Sequence, residues 1–424
     1  MLKMLAICGG QSLRKEPFSA WPVWGEEELS NLKSVLESRD WGAGPRGNRP
    51  GSRVAQFGAR FAEYHEVKYG LPVNNGTVSL EIALKAGGIG FGDWVIVPAY
   101  TFVATAIAVL RVNAIPVFVD VDPETFCIDP EQVEGVITPG IKAIIPVHIA
   151  GEFSDMDKIM VVAKRHGLFV LEDAAHAIGG VWKDRKAGSI GDAGSFSFQS
   201  AKTMTCGEGG AIITDSPEIY ERCILYTDFG RKENSPVYKH YVPGGNQRIS
   251  EFQGAVLLAQ LQRLPQQVQR REENAAYLTE LLSGITGLKP QRRDPRTTTK
   301  AYFWYIFEYQ PECFAGVSRD MFVRALNTEG IPCIGGYDTA VPDNPMFREE
   351  VLLKECPWVK GMLEGSPKIF ERPFPNARRL AANGIVFRHN LLMSNKEDLD
   401  DIAAAIHKII AHIDELKQFE ERKQ

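Results

Sequence analysis

The chain of 424 residues is long enough to bury a large core and a smaller second one. Its formal charge of -5 is spread along the sequence instead of gathering into runs, which argues against a polyanion-binding stripe and against a nucleic-acid partner. Seven scattered cysteines, odd in number and without CxxC pairs, argue against a complete disulfide framework and point to a reducing cytoplasm.

In chain order, Met1 to Cys8 is apolar but too short to span a membrane and is followed by no cleavage-type signal, so no membrane association is expected. Residues 1–50 read as an N-terminal arm, where Trp21, Trp24 and Trp41 mix with Gly42, Gly44, Pro45, Gly47 and Pro50 around one helix near Glu26 to Ser38. Residues 51–265 read as a large α/β domain. Its apolar runs Trp94–Pro98, Pro116–Asp120, Ala143–Val147 and Leu168–Asp173 are unbroken, as strands buried on both faces of a mainly parallel sheet must be. Helical patterns at Val78–Ala86, Thr105–Val112 and Met156–His166 supply the crossovers that parallel strands need.

Two further strands are expected at Ser195–Phe198 and Gly210–Thr214, then helix from Ile249 to about Ser283, interrupted or kinked by Pro265. Residues 266–424 read as a smaller α+β domain with a strand at Tyr302–Phe307, a helix at Arg319–Glu329 and a terminal amphipathic helix at Lys396–Lys417. The charged end Glu420–Gln424 is expected to fray.

Chemistry concentrates after strand ends. Lys202 follows the run Ser195–Phe198 and precedes Gly207-Glu208-Gly209-Gly210. A lone loop lysine is most often a solvated charge; one presented from apolar strand ends is desolvated, which lowers its pKa and yields a nucleophilic amine able to form an imine. Asp173 closes an apolar strand, where open α/β sheets bind ligands. It reads either as a helix cap or as the carboxylate that keeps a cofactor ring nitrogen protonated, as in pyridoxal phosphate enzymes. Asn74-Asn75-Gly76-Thr77 opens a helix whose free N–H groups and dipole suit a phosphate, with the Thr77 hydroxyl and Ser197 as further donors, although an ordinary capped helix has the same signature. Tyr100 and Phe102 follow a strand and share one side if it persists, placing a ring either in the core or over a cofactor. The eight histidines show no HExxH or cysteine-paired spacing, so no metal is expected.

Asn75-Gly76-Thr77, Pro98 to Thr105, Glu172-Asp173-Ala174-Ala175-His176, Ser197 to Lys202, Gly207-Glu208-Gly209-Gly210 and Gly245 to Phe252 occur in order and resemble the DegT/DnrJ/StrS aminotransferases. The resemblance implies pyridoxal-phosphate fold type I: a large domain with a mainly parallel, seven-stranded type of sheet and a smaller C-terminal domain. It further implies a homodimer with shared active sites, and transfer of an amino group from glutamate or glutamine to a cyclic ketone by a ping-pong route. It makes Lys202 the imine-forming base, Asp173 the ring-nitrogen partner, and Gly76, Thr77 and Ser197 the phosphate ligands. It adds Phe102 as the stacking ring, His176 beside the cofactor's phenolic oxygen or ring, and Asn246 as a phosphate contact from the other subunit.

Many nucleotide-sugar members carry histidine three residues before the lysine; Gln199 stands there here. With the Leu5 to Gly10 opening and Phe196 to Gln199, this is closer to the keto-inositol branch or the aminohydroxybenzoate synthases. The alternatives are a lyase or aromatase on the same cofactor, a nucleotide-ketosugar aminotransferase, and a non-catalytic cofactor-binding regulator. Arg248, Gln199, Tyr337 and His389 are candidate substrate contacts.

Overall fold

The computed structural model describes residues 4–42, 51–232, 236, 238–363 and 372–423; Gly44, Pro45, Gly47 and Pro50 of the expected arm lie outside the described residues. Seven strands, β1 (Tyr69–Val73), β2 (Trp94–Pro98), β3 (Ile115–Val119), β4 (Ile141–Ile144), β5 (Phe169–Asp173), β6 (Ala193–Ser197) and β7 (Gly210–Thr214), form one sheet in the order β1-β7-β6-β5-β4-β2-β3. Neighbours from β3 across to β6 are parallel, and β7 runs antiparallel to both β6 and β1. Every residue of β3, β6 and β7 is buried, the physical reason their sequences are unbroken apolar or small runs. The helices Gly76–Ala86, Ala104–Arg111 and Met156–His166 make the crossovers, within two residues of the predicted bounds.

Two expectations about backbone breaks need correction. Pro265 does not interrupt its helix, which runs from Glu251 to Leu282 over 32 residues. A mid-helix proline costs about 3 kcal/mol, but Leu257, Leu258, Leu261, Leu264 and Val268 are buried around it, and each such side chain contributes about 1.5–3 kcal/mol. Packing therefore outweighs the lost hydrogen bond. The strand predicted at Tyr302–Phe307 starts at Trp304, because Tyr302 takes a left-handed backbone with φ 48° that no strand accommodates.

That strand, Trp304–Tyr309, lies between Leu288–Pro290 and Gly384–Arg388 in a second, antiparallel sheet. Leu5 and Phe18 pack in its core together with Leu278, Phe307 and Ile406. The helix expected over Lys396–Lys417 is two, Lys396–Ala411 and Ile413–Glu421, broken at His412. The second brings Glu420 to the Ser318 amide, which donates to it at 3.2 Å, so this part of the end is tied down where fraying was predicted. No helix among the described residues is long and apolar enough to cross a membrane.

Candidate active site

The C-terminal ends of β2, β4, β5 and β6, the start of β7 and the first turn of helix Gly76–Ala86 surround a cleft of about 730 Å³. Gly76, Thr77, Phe102, Asp173, His176, Ser197 and Lys202 all line it. Ligands of open α/β sheets bind at this edge.

The helix end of the cleft is built from close approach. Asn75 is extended and its Oδ1 accepts the Val78 N–H at 2.9 Å, capping the helix. The Gly76 and Thr77 N–H groups have no acceptor within the helix and face the cleft. A Cβ on Gly76 would lie 2.7 Å from Ser197 Cβ, so only glycine lets the helix start abut the end of β6. Gly210 makes a similar concession, since its Cβ would meet the Asn75 carbonyl oxygen at 2.5 Å.

Strand alternation divides the two acids at the end of β5. Glu172 turns to the buried side and accepts the Ile190, Gly191 and Gly188 amides at 2.6, 2.7 and 3.0 Å, with His148 Nε2 at 2.9 Å. Asp173 turns to the cleft, where its Oδ2 accepts the Thr105 hydroxyl at 2.8 Å and its Oδ1 the Ala175 N–H at 3.3 Å. Burial pushes the Asp173 carboxyl above its ordinary value; the Thr105 hydrogen bond and the Lys202 charge pull it back.

Lys202 is half-buried at the end of a turn closed by its own N–H to the Gln199 carbonyl at 2.8 Å. Desolvation brings its amine down to about 8 against the opposing charge of Asp173. The free base is therefore far more accessible near neutral pH than for an ordinary lysine, as a nucleophile and proton carrier requires. His176 is buried and held well below its ordinary value by burial and then by the Lys202 charge. Its Nδ1 accepts the Ala150 N–H at 3.3 Å, so the neutral ring carries its proton on Nε2, 3.4 Å from the Tyr337 hydroxyl.

Phe102 is 55% exposed at the cleft mouth, with its flat face available. Tyr100 does not share its side: β2 ends at Pro98, the alternation stops, and Tyr100 enters the core, its hydroxyl accepting the Tyr337 N–H at 3.3 Å. Of the candidate substrate contacts, Gln199 and Tyr337 line the cleft. Arg248 does not; its guanidinium is paired with Asp228. His389 lies buried beneath the lysine loop, its Nε2 donating to the Ala201 carbonyl at 3.1 Å, so it too is withdrawn from substrate.

Asn246 is exposed and outside its own chain's cleft. Its segment is anchored next to the helix end of the cleft through Gln247, whose backbone and side-chain oxygens accept from Asn74 at 2.9 and 2.8 Å. Thr105, Phe303 and Glu208 also line the cleft and were missed in the sequence reading. Thr105 reads there as a helix-start residue, and only its partner Asp173, 68 positions away, reveals its role. Among the described residues no group of three or more His, Cys, Asp or Glu side chains is placed to hold a metal.

The arrangement fits pyridoxal phosphate: a first helical turn with free amides for the phosphate, a buried carboxylate for the ring nitrogen, an exposed aromatic face for the ring and a desolvated amine for the aldehyde. Comparison with known proteins agrees. Residues 22–364 match the DegT/DnrJ/EryC1/StrS aminotransferase family. The chain is 38% identical to the L-glutamine:2-deoxy-scyllo-inosose aminotransferase of Streptoalloteichus tenebrarius, covering 97% of this chain and 99% of that one. It is 36% identical to the L-glutamine:scyllo-inosose aminotransferase of Streptomyces griseus, covering 98% and 99%. Among solved structures, 3-amino-5-hydroxybenzoic acid synthase superposes with a TM-score of 0.80 at 32% identity, over 94% of this chain and 100% of that one.

Proposed function

This chain belongs to the DegT/DnrJ/EryC1/StrS aminotransferase family and is a pyridoxal-phosphate-dependent aminotransferase; from that premise we propose that it carries the amino group of glutamine to the ketone of a keto-inositol. The relatives named above support both donor and acceptor class. The observation that carries the reading is the cleft's charge. Besides Lys202, the described residues that line the cleft include one cation, Arg111, which is already paired with Glu81. A nucleotide diphosphate needs cations or a free helix N-terminus; of the two N-termini that the described residues bring to the cleft, Gly76–Ala86 would serve the cofactor phosphate, and Ala104–Arg111 has its Thr105 hydroxyl committed to Asp173 and its Thr105 and Ala106 amides to the Phe102 and Val103 carbonyls. A neutral polyol ketone fits this lining better.

When bound, pyridoxal phosphate supplies an aldehyde that receives the donor's amine and a ring that accepts electron density. Gly76, Thr77 and Ser197 would hold the phosphate, Asp173 would hold a proton on the ring nitrogen, and Phe102 would cover the ring face. Lys202 Nζ, released as a free amine, takes a proton from the donor's α-carbon and later returns one to the acceptor carbon. His176, neutral and fixed by the Ala150 amide, lines the same cleft and would lie beside the cofactor's phenolic oxygen or ring. Both half-reactions use one cleft, so ping-pong kinetics follow.

The protein acts as a homodimer, with Asn246 contributing to the partner's phosphate site; its exposure beside the tethered Gln247 supports this. The cytoplasm is the compartment that suits seven unpaired cysteines. The test is spectral. Glutamine should convert the cofactor absorbance to the pyridoxamine form, and scyllo-inosose should restore it while a nucleotide ketosugar does not. If no amino donor alters the spectrum, transamination fails; if only the nucleotide ketosugar restores it, the acceptor class is wrong.

A further inference from the structure

The Lys202 ammonium lies over the face of Phe303, with Nζ 4.5 Å from the ring centroid. The ring is buried and sits just before strand Trp304–Tyr309, far in sequence from the lysine loop. A desolvated ammonium has lost much of its hydration, and an aromatic face offers fixed negative potential without adding a charge. We propose that Phe303 is a positioning residue that seats the Lys202 amine when it is not joined to the cofactor and stabilises the ammonium it becomes once it has taken the donor's proton. This rests on Lys202 being the reactive amine, and not on the identity of the ketone.

The seat is rigid on every side. His176 stacks on Phe303 at 3.9 Å between centroids and 25° between planes, and His389 lies 6.1 Å away at 27°. The two peptides before Lys202 are pinned from opposite ends of the chain: the Trp21 indole N–H donates to the Ser200 carbonyl and His389 Nε2–H to the Ala201 carbonyl, each at 3.1 Å. A seat for a cation also demands that its neighbours carry no positive charge. Burial holds His389 at about 3, with the buried Arg271 adding to the effect, and holds His176 well below its ordinary value. Burial likewise keeps the Tyr337 hydroxyl protonated, and Glu208 faces the same cleft from the start of β7.

Two features then favour the ammonium, the Asp173 carboxylate and the Phe303 face. They differ in kind. Asp173 is the group that serves the ring nitrogen once cofactor is bound, so its charge is shared, whereas the Phe303 ring, stacked on a neutral His176, has no charge to give up and its pull on the proton persists.

The experiment reads the amine itself. Full-length protein freed of cofactor is trace-labelled with acetic anhydride across neutral to alkaline pH, and acetylation of Lys202 is followed by mass spectrometry. Phe303→Leu should move the Lys202 midpoint down by roughly half a unit to one and a half units, while Phe303→Tyr, which keeps the face, should leave it in place. Trifluorinated phenylalanine at 303 keeps the shape and weakens the face, so it should give an intermediate shift even if the leucine variant fails to fold. A midpoint unmoved by the fluorinated ring overturns the proposal. Because labelling does not depend on turnover, a chain that aminates no ketone can still return the shift, and the two readings fail separately.

Discussion

Thr105→Val isolates the hydrogen bond that keeps Asp173 charged. The hydroxyl donates to Oδ2 at 2.8 Å in a buried pair, and valine preserves its shape while leaving only the weaker Ala175 N–H contact at 3.3 Å. A hydrogen bond to a charged group contributes about 1.5–3 kcal/mol, and about 1.4 kcal/mol corresponds to one pH unit. The Asp173 carboxyl, already raised by burial, should therefore rise further. A raised carboxyl favours the folded state below the ordinary carboxylate value and loses that contribution as pH climbs through the folded value. Urea unfolding of cofactor-free wild type and variant, repeated over a pH series, should give stabilities that lie close at acid pH. They should separate by about 1.5–3 kcal/mol as the carboxyl ionises. A separation independent of pH would refute the reasoning and reduce Thr105 to a packing residue.

Lys202→Ala should still bind cofactor through its phosphate but lose the visible absorbance of the lysine-linked form; a retained band would place the reactive amine elsewhere. Gly76→Ala, forcing a Cβ to 2.7 Å from Ser197 Cβ, overpacks by about 1–3 kcal/mol, and a fluorescence titration should show cofactor affinity reduced roughly five- to a hundredfold. Phe102→Ala should weaken cofactor binding with little change in the melting temperature of the cofactor-free protein, because the ring is 55% exposed and contributes little to the core. Subunits carrying Lys202→Ala and Asn246→Ala, each inactive alone, should regain activity on mixing, since one site of each hybrid dimer is then intact; absence of recovery would refute the shared site.

What could be read in advance follows from the range of the forces involved. Burial on both faces forces unbroken apolar runs, so β2 and β7 fall where the residues alone place them. Lys202, Asp173 and Gly76 were legible because each follows or precedes a strand or helix end whose local pattern is strong. Thr105, Phe303, Trp21 and His389 were not, since their roles lie in partners between 68 and 188 positions distant and no spacing encodes those. Pro265 misled because a local rule was applied where tertiary packing decides, and Tyr302 because an aromatic run hides a left-handed residue. Asn246 was accessible through resemblance alone, because the role proposed for it is directed at another copy of the chain.

The hydrogen bonds from Trp21 and His389 to the lysine loop also bear on how the protein is made. All seven strands of the main sheet have been synthesised by Thr214, yet the loop before Lys202 acquires its second anchor only after residue 389 has emerged. A chain still leaving the ribosome thus owns the scaffold but not a set lysine. Final seating of the lysine loop therefore waits on a contact that only the last part of the chain supplies.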